Sequence, residues 1–167
     1  IAINGGEYYD EKGQLLAHYH LDKQAALKVC RICKEKGLHY MLYTTKGTVT
    51  EMDVSKVKDM FIHRKIACSG GNYKDTYEDM EKNYSPFRTL KHIDNLSLFL
   101  EDKKLAVLKV EGFDEFEKLV SEVKDSIKNI EDITYLSSFY NNIEVTNINA
   151  KKGGILLKVI KQMNILP

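Results

Sequence analysis

Ile143–Ile160 reads IEVTNINAKKGGILLKVI and carries three consecutive structural signals. Alternating β-branched residues at its start predict a strand, and Asn147 and Asn149 supply turn or N-cap oxygens. The apolar residues after the turn then recur at helical spacing, at Leu156, Val159, Ile160 and Met163. The stretch therefore predicts a strand that enters a polar turn, Lys151–Gly154, from which a helix begins.

The two lysines of this turn stand at the start of the predicted helix, although cations are favoured at the opposite end. The first N–H groups of a helix lack partners within it, and a bound anion would satisfy them. Gly153 and Gly154 leave backbone N–H groups accessible. The turn is therefore a candidate binding site for a phosphate or a carboxylate. A solvated basic turn, with both lysines extended into water, is the alternative.

The order of these elements resembles a known family. The strand, the Lys-Gly turn and the I-L-L-x-x-I helix look like the third motif of Cof-type phosphatases in the haloacid dehalogenase-like hydrolase superfamily. Leu136–Ser138 and Asn142–Val145 resemble the segment that leads into that motif. Ile3–Asp10, followed by Lys12-Gly13, is similar to the family's Asn-Gly-Ala strand and hairpin, with Gly6 in place of the alanine.

This resemblance implies an activity and a set of site residues. The implied reaction is the hydrolysis of a small phosphate monoester, such as a sugar phosphate, through an aspartyl-phosphate and with Mg²⁺. Lys152 matches the catalytic lysine of the third motif, and Lys151 is the second choice if the register slips by one. Asn4 matches a position near the hinge that lines the cleft.

Other motifs of the family are missing from these residues. The chain has no Asp-x-Asp and no Gly-Asp, so we expect the nucleophile and the Mg²⁺ ligands in parts of the parent protein outside it. We therefore interpret the chain as an internal piece that is inactive by itself. Residues 1–21 would be a core hairpin and hinge, 22–141 a cap domain, and 142–167 the return to the core.

Composition narrows the class of partner. The 167 residues carry 25 basic and 24 acidic side chains, a net charge of +1, which does not favour nucleic acid or an anionic membrane. The sequence has no apolar run long enough for a membrane span. Three cysteines, an odd number, fit the reducing cytoplasm. The expected partners are a small phosphorylated metabolite and the rest of the hydrolase core, with a dimer through exposed apolar flanks also open.

Periodicity predicts an α/β sandwich, a sheet with helices on one face, as the cap. The flanking strands Ile1–Tyr9 and Ile143–Ile148 would belong to a Rossmann-like core. Ile66–Tyr84 shows little periodicity and is expected to be loop and short helix. The other predicted strands are Gln14–His20, His39–Thr44, Thr48–Met52, Leu105–Val110 and Asp132–Ser137. The predicted helices are Lys23–Lys36, Val54–Arg64, Phe87–Leu100 and Asp114–Lys128.

The hairpin between the strands at 39–44 and 48–52 is the first candidate for a cap loop that reaches a substrate. Tyr43, Thr45 and Lys46 offer a stacking face, a hydroxyl and a cation, although an ordinary polar turn has the same composition. Two other classes of protein stay open. The chain is also compatible with a stand-alone small-ligand-binding or regulatory α/β domain, and with a structural or interaction module.

Overall fold

The computed structural model of the protein describes residues 6–151. Its strands are β1 (Glu7–Tyr9), β2 (Leu15–His18), β3 (His39–Thr44), β4 (Gly47–Thr50), β5 (Lys91–His92), β6 (Val107–Phe113), β7 (Ile133–Leu136) and β8 (Asn142–Asn147). Its helices are α1 (Lys23–Lys36), α2 (Val54–Ser69), α3 (Tyr73–Asn83), α4 (Ser85–Thr89), α5 (Leu96–Leu100) and α6 (Glu117–Ile127). The helix predicted after Gly154 lies outside the described residues.

Helix α1 has the bounds that its end signals predict. The side chain of Asp22 accepts hydrogen bonds from two backbone N–H groups of the first turn, each at 2.9 Å. Gly37 ends the helix with a φ of 76°, a left-handed conformation that glycine adopts without a Cβ clash. Cys30 and Cys33 are fully buried in the hydrophobic core.

Six strands form one sheet in the order β5-β4-β3-β6-β8-β7, and β1 pairs with β2 in a separate hairpin. In this sheet β8 pairs antiparallel with β6 on one side and with β7 on the other. Our assignment of the strand at 143–148 to a flanking core fragment is therefore wrong. The short connection at residues 137–141 reverses the direction of the chain. Strand β8 therefore pairs antiparallel with β7 in the same sheet.

Helices cover both faces of this sheet. On β3, Tyr40 and Leu42 pack in the hydrophobic cluster of α1 and α6, whereas Met41 and Tyr43 pack in the cluster of α2, α3 and α4. This division follows from the strand itself, because successive side chains of a strand point to opposite faces. The α/β class is confirmed, but the expectation of helices on only one face is wrong.

The segment Ile66–Tyr84, expected to be loop and short helix, is mostly helical. Helix α2 continues to Ser69, where Gly70 ends it with a φ of 74°. Helix α3 begins after Asn72, whose side chain accepts a hydrogen bond from a backbone N–H of the first turn at 2.9 Å. Of the residues of α3, Met80 is the only buried one, and so narrow an apolar contact leaves little periodicity in the sequence.

The prediction of a single helix at Phe87–Leu100 is also wrong. Two short helices, α4 and α5, are separated by β5, which pairs in parallel with β4. Leu90 has an extended backbone after α4, and the side chain of Asn95 caps α5. Pairing with the sheet thus overrides the apolar spacing of this segment. The helix predicted from Asp114 begins three residues later, at Glu117, because Phe113 still belongs to β6.

Apolar side chains are exposed near both ends of the described range. Leu15 and Leu16 of the hairpin are 42% and 50% exposed, and Ile148 after β8 is 41% exposed. These three side chains are apolar and exposed, and the dimer through the flanks stays a prediction. Between residues 6 and 151, no helix has the length and apolar character needed to span a membrane.

Candidate functional site

Charged side chains converge on the face of the sheet that α2 partly covers. Lys109 and Glu111 of β6 project to this face, and Glu144 of β8 lies directly opposite Glu111 in the strand register. The neighbouring residues Val110 and Val145 project to the other face, into the cluster of α1 and α6. Strand alternation therefore brings one cation and two carboxylates side by side in the middle of the sheet.

Lys109 lies between the two carboxylates. Its Nζ donates hydrogen bonds to Oε2 of Glu144 at 2.9 Å and to Oε2 of Glu111 at 3.4 Å. Arg64 of α2 donates from Nη2 to Oε1 of Glu111 at 3.3 Å. Two carboxylates opposite each other on adjacent strands repel, and these cations offset that repulsion.

Three hydroxyl groups complete this arrangement. Tyr43 donates its O–H to Oε2 of Glu111 at 2.7 Å, and its oxygen lies 2.9 Å from the hydroxyl oxygen of Tyr84. Ser138 donates its O–H to Oε1 of Glu144 at 2.6 Å. We call the following seven residues the charged network: Tyr43, Arg64, Tyr84, Lys109, Glu111, Ser138 and Glu144.

Burial and charge shift the pKa values of three members of the charged network. Burial lowers the pKa of Lys109, but the charges of Glu111 and Glu144 outweigh it, so this pKa lies above its usual value. Burial, reinforced by the nearby charge of Glu111, raises the pKa values of Tyr43 and Tyr84. Near neutral pH, Lys109 is therefore a cation and both tyrosines keep their protons.

A cavity of about 310 Å³ opens on the charged network. Phe139 at 46% exposure and the exposed Ser69 stand where it meets solvent. Its size, and its combination of apolar walls with a few polar groups, are typical of sites for small molecules. The lining residues are Phe61, Arg64, Lys65, Ser69, Met80, Tyr84, Lys109, Glu111, Ser138, Phe139, Asn142 and Glu144.

Arg64 lines this cavity and has one unsatisfied buried donor. The residue is only 6% exposed, and its guanidinium carbon lies 4.4 Å from the centre of the Phe61 ring. Its Nε is buried and has no hydrogen-bond partner within the described part of the chain. Leaving such a group unpaired is costly.

The three residues predicted to contact a substrate do not converge. Tyr43 is 8% exposed and belongs to the charged network, whereas Thr45 and Lys46 lie at the exposed turn between β3 and β4. Oγ1 of Thr45 accepts a hydrogen bond from the backbone N–H of Ala106 at 3.1 Å, and Lys46 forms an ion pair with Asp102. Thr45 and Lys46 thus connect their turn to the segment before β6, away from the cavity lining.

The residues taken from the family resemblance lie at or beyond the ends of the described range. Lys152 and Asn4 are outside it. Lys151 is exposed, and its backbone N–H donates to the carbonyl of Asn149 at 2.9 Å. The catalytic role of Lys152 and the cleft position of Asn4 stay predictions.

Sequence reasoning missed the charged network except for Tyr43. A signal for it was present in β6, where Lys109 and Glu111 alternate with Val110 in a strand flanked by apolar residues. Charged residues two apart in a buried strand share one face and require partners. No pattern in the sequence connects them to Arg64, which comes from a helix 45 residues earlier in the chain.

The family resemblance implies Mg²⁺, but the described residues do not fit such a site. Between residues 6 and 151, no three His, Cys, Asp or Glu side chains lie close enough together to hold a metal ion. Glu111 and Glu144 already bind Lys109 and Arg64. The described part of the chain therefore supplies no Mg²⁺ site.

Comparison with known proteins finds relatives that are hydrolases or phosphatases. The profile of haloacid dehalogenase-like hydrolases matches residues 1–167. The phosphatase YwpJ of Bacillus subtilis (strain 168) is 25% identical over 167 residues, which are 99% of this chain and 58% of YwpJ. A solved haloacid dehalogenase-like hydrolase from B. subtilis has a TM-score of 0.80 at 23% identity, over 98% of this chain and 57% of that chain.

A further solved structure is the sugar phosphatase BT4131 of HAD subclass IIB, with a TM-score of 0.60 at 13% identity. That match covers 98% of this chain and 52% of the other chain. At such identities the solved structures establish the likeness of fold alone. The chain spans little more than half the length of the relatives that it matches.

Proposed function

The chain belongs to the haloacid dehalogenase-like hydrolases, and we propose that the whole protein hydrolyses small phosphate monoesters such as sugar phosphates. The names of two relatives support this choice of reaction, because one is a phosphatase and another a sugar phosphatase. The cytoplasm is the proposed location, since an odd number of cysteines suits a reducing compartment.

Within that protein, residues 22–147 act as the cap that selects the substrate. The observation that carries this role is the cavity on the sheet face, about 310 Å³ in volume and lined by charged and apolar groups. Lys109, Glu144 and Ser138 present donors and acceptors suited to hydroxyl groups, and Phe139 adds an apolar face. The cavity binds the part of the ester that leaves with the alcohol oxygen.

The chemistry takes place on residues outside this cavity. An aspartate beyond the 167 residues attacks phosphorus, so that its oxygen–phosphorus bond forms while the bond to the leaving oxygen breaks. The leaving oxygen takes up a proton and departs as the alcohol. Water then attacks the aspartyl-phosphate, which releases inorganic phosphate and restores the carboxylate.

Lys152 is the residue of this chain that we assign to that chemistry. Its ammonium offsets the negative charge of the carboxylate and the phosphoryl group as they approach each other. The Mg²⁺ requirement implied by the family is assigned to ligands outside residues 6–151. Closure of the cap over the bound ester excludes bulk water from the site, which prevents competing reactions. The opening and closing of the cap also gate turnover.

The test is a phosphatase assay of the full-length gene product on a panel of sugar phosphates with Mg²⁺. We expect turnover by the wild type and loss of most of the rate in Lys152→Ala. The neighbouring substitution Lys151→Ala is the matched control and should keep the rate. The 167-residue chain alone should be inactive. Absence of hydrolysis by the full-length protein, or an unchanged rate in Lys152→Ala, would contradict the assignment.

A second candidate function is a stand-alone ligand-binding or regulatory domain. The observation in its favour is that every residue lining the cavity lies between Phe61 and Glu144. Such a domain needs no other part of a hydrolase to form its site. It would bind a small molecule saturably without Mg²⁺, and the full-length protein would hydrolyse no ester in the panel.

A further inference from the structure

The residues that line the cavity have more positive than negative charge. Arg64, Lys65 and Lys109 contribute three cations, and Glu111 and Glu144 contribute two carboxylates. The two carboxylates are bound by Arg64 and Lys109 at 2.9 to 3.4 Å. The lining therefore has an excess of one positive charge.

Lys65 carries that excess. It comes from α2, directly after Arg64, and is only partly exposed. Among the ion pairs found in residues 6–151, none involves Lys65. Its Nζ has only a weak contact of 3.9 Å with the sulfur of Met80, a poor acceptor that leaves the ammonium able to bind an anion.

Arg64, the neighbour of Lys65 in the chain, adds a buried cation to the same wall of the cavity. Its buried Nε has no acceptor in the described structure, although the residue lines the cavity. A carboxylate or phosphate oxygen is the strongest acceptor for a guanidinium N–H, since the bond is assisted by charge. Arg64 thus has one N–H without an acceptor, although its Nη2 already binds the carboxylate of Glu111.

The sheet side of the cavity has the opposite character. The carboxylates of Glu111 and Glu144 accept hydrogen bonds, and the hydroxyl of Ser138 both donates and accepts. Groups of this kind bind the hydroxyls of a polyol. A ligand that satisfies both sides has hydroxyls toward β6 and β8 and a negative charge toward α2.

From this arrangement we infer that the preferred substrates carry a second anion, a carboxylate or another phosphate, on the polyol part remote from the phosphate that is hydrolysed. The inference rests on the proposed phosphatase function. It narrows the substrate class from sugar phosphates in general to those that are doubly anionic. Lys65 is the residue that selects for the second anion.

The experiment compares kcat/KM of the full-length protein within matched substrate pairs. Phosphogluconate is paired with glucitol phosphate to test a carboxylate, and fructose bisphosphate is paired with fructose monophosphate to test a second phosphate. Each pair is measured for the wild type, for Lys65→Met and for Lys56→Met. Lys56 is a control because it is exposed on the same helix and does not line the cavity.

We expect the wild type to prefer the doubly anionic member of at least one pair by about tenfold, the scale of one hydrogen bond to a charged group. Lys65→Met should remove most of that preference, and Lys56→Met should retain it. The pair that shows the preference identifies the anion. Equal kcat/KM within both pairs, or a preference unchanged in Lys65→Met, would overturn the inference while the phosphatase function stands. No hydrolysis of any ester would overturn both.

Discussion

Glu111 and Glu144 face each other across β6 and β8, and the Nζ of Lys109 lies 3.4 Å from the first carboxylate and 2.9 Å from the second. Two buried carboxylates at directly opposed positions would destabilise the sheet without such a cation. The same three side chains therefore both stabilise the sheet and line the cavity.

Replacing Lys109 by methionine should strongly destabilise the protein. The substitution leaves two buried carboxylates without their shared cation, a change that costs about 3–5 kcal/mol for a buried pair. Urea unfolding of the full-length protein measures the loss in the free energy of unfolding. Lys103→Met, at an exposed position, should change it by less than about 0.5 kcal/mol. Similar small effects for both variants would show that Lys109 is not needed to offset the carboxylates.

Stability should fall in alkaline solution. The raised pKa of Tyr43 means that the folded state holds this proton more tightly than the unfolded state. Its contribution is complete below the usual tyrosine pKa of 10.0 and is lost as the pH rises above that value. The same sign holds for Lys109 above its usual 10.5.

Tyr43→Phe removes one of these groups, so its free energy of unfolding should fall less steeply than that of the wild type above pH 10.0. Tyr135→Phe is the matched control, because Tyr135 is 40% exposed on the edge strand β7. Denaturant unfolding at several alkaline pH values gives the slopes. Equal slopes for the wild type and Tyr43→Phe would contradict the predicted linkage.

Gly112 is expected to tolerate no side chain without strain. A Cβ at this position would lie 2.7 Å from Cδ2 of Leu38 and 3.2 Å from Cγ2 of Ile143, both fully buried. Gly112→Ala should therefore destabilise the protein by about 1–3 kcal/mol through overpacking.

A double-mutant cycle with Leu38→Ala tests the cause of that loss. Leu38→Ala alone creates a cavity and should cost about 2–5 kcal/mol. In the double variant the new methyl group occupies part of that space, so the combined loss should be smaller than the sum of the single losses. Strict additivity would show that the contact with Leu38 is not the source of the strain.

Local signals in the sequence are enough to predict a helix or a strand when they mark both its ends and its buried face. Helix α1 is predicted to its terminal residues because Asp22 and Gly37 supply its caps. Strand β3 is equally clear, since His39–Thr44 is rich in strand-forming residues. These signals act within a few residues, so no knowledge of the distant chain is required.

The remaining features depend on contacts between distant segments. The place of β8 between β6 and β7 and the insertion of β5 beside β4 are decided by strand pairing across the chain. The cavity requires Arg64 from α2 to meet Glu111 from β6. No periodicity in either segment predicts that meeting, and the contact of Thr45 and Lys46 with a substrate stays a prediction.

The central claim is that the cavity recognises the leaving group while the phosphoryl chemistry occurs elsewhere. Ser138→Ala tests it directly, since this hydroxyl lines the cavity and donates to Glu144 at 2.6 Å. The measurement is kcat/KM of the full-length protein for its preferred sugar phosphate and for p-nitrophenyl phosphate, with the exposed Ser126→Ala as control. Ser138→Ala should lower kcat/KM for the sugar phosphate by about tenfold and leave the aryl ester unchanged. Equal losses for both esters, or no loss for either, would contradict the claim.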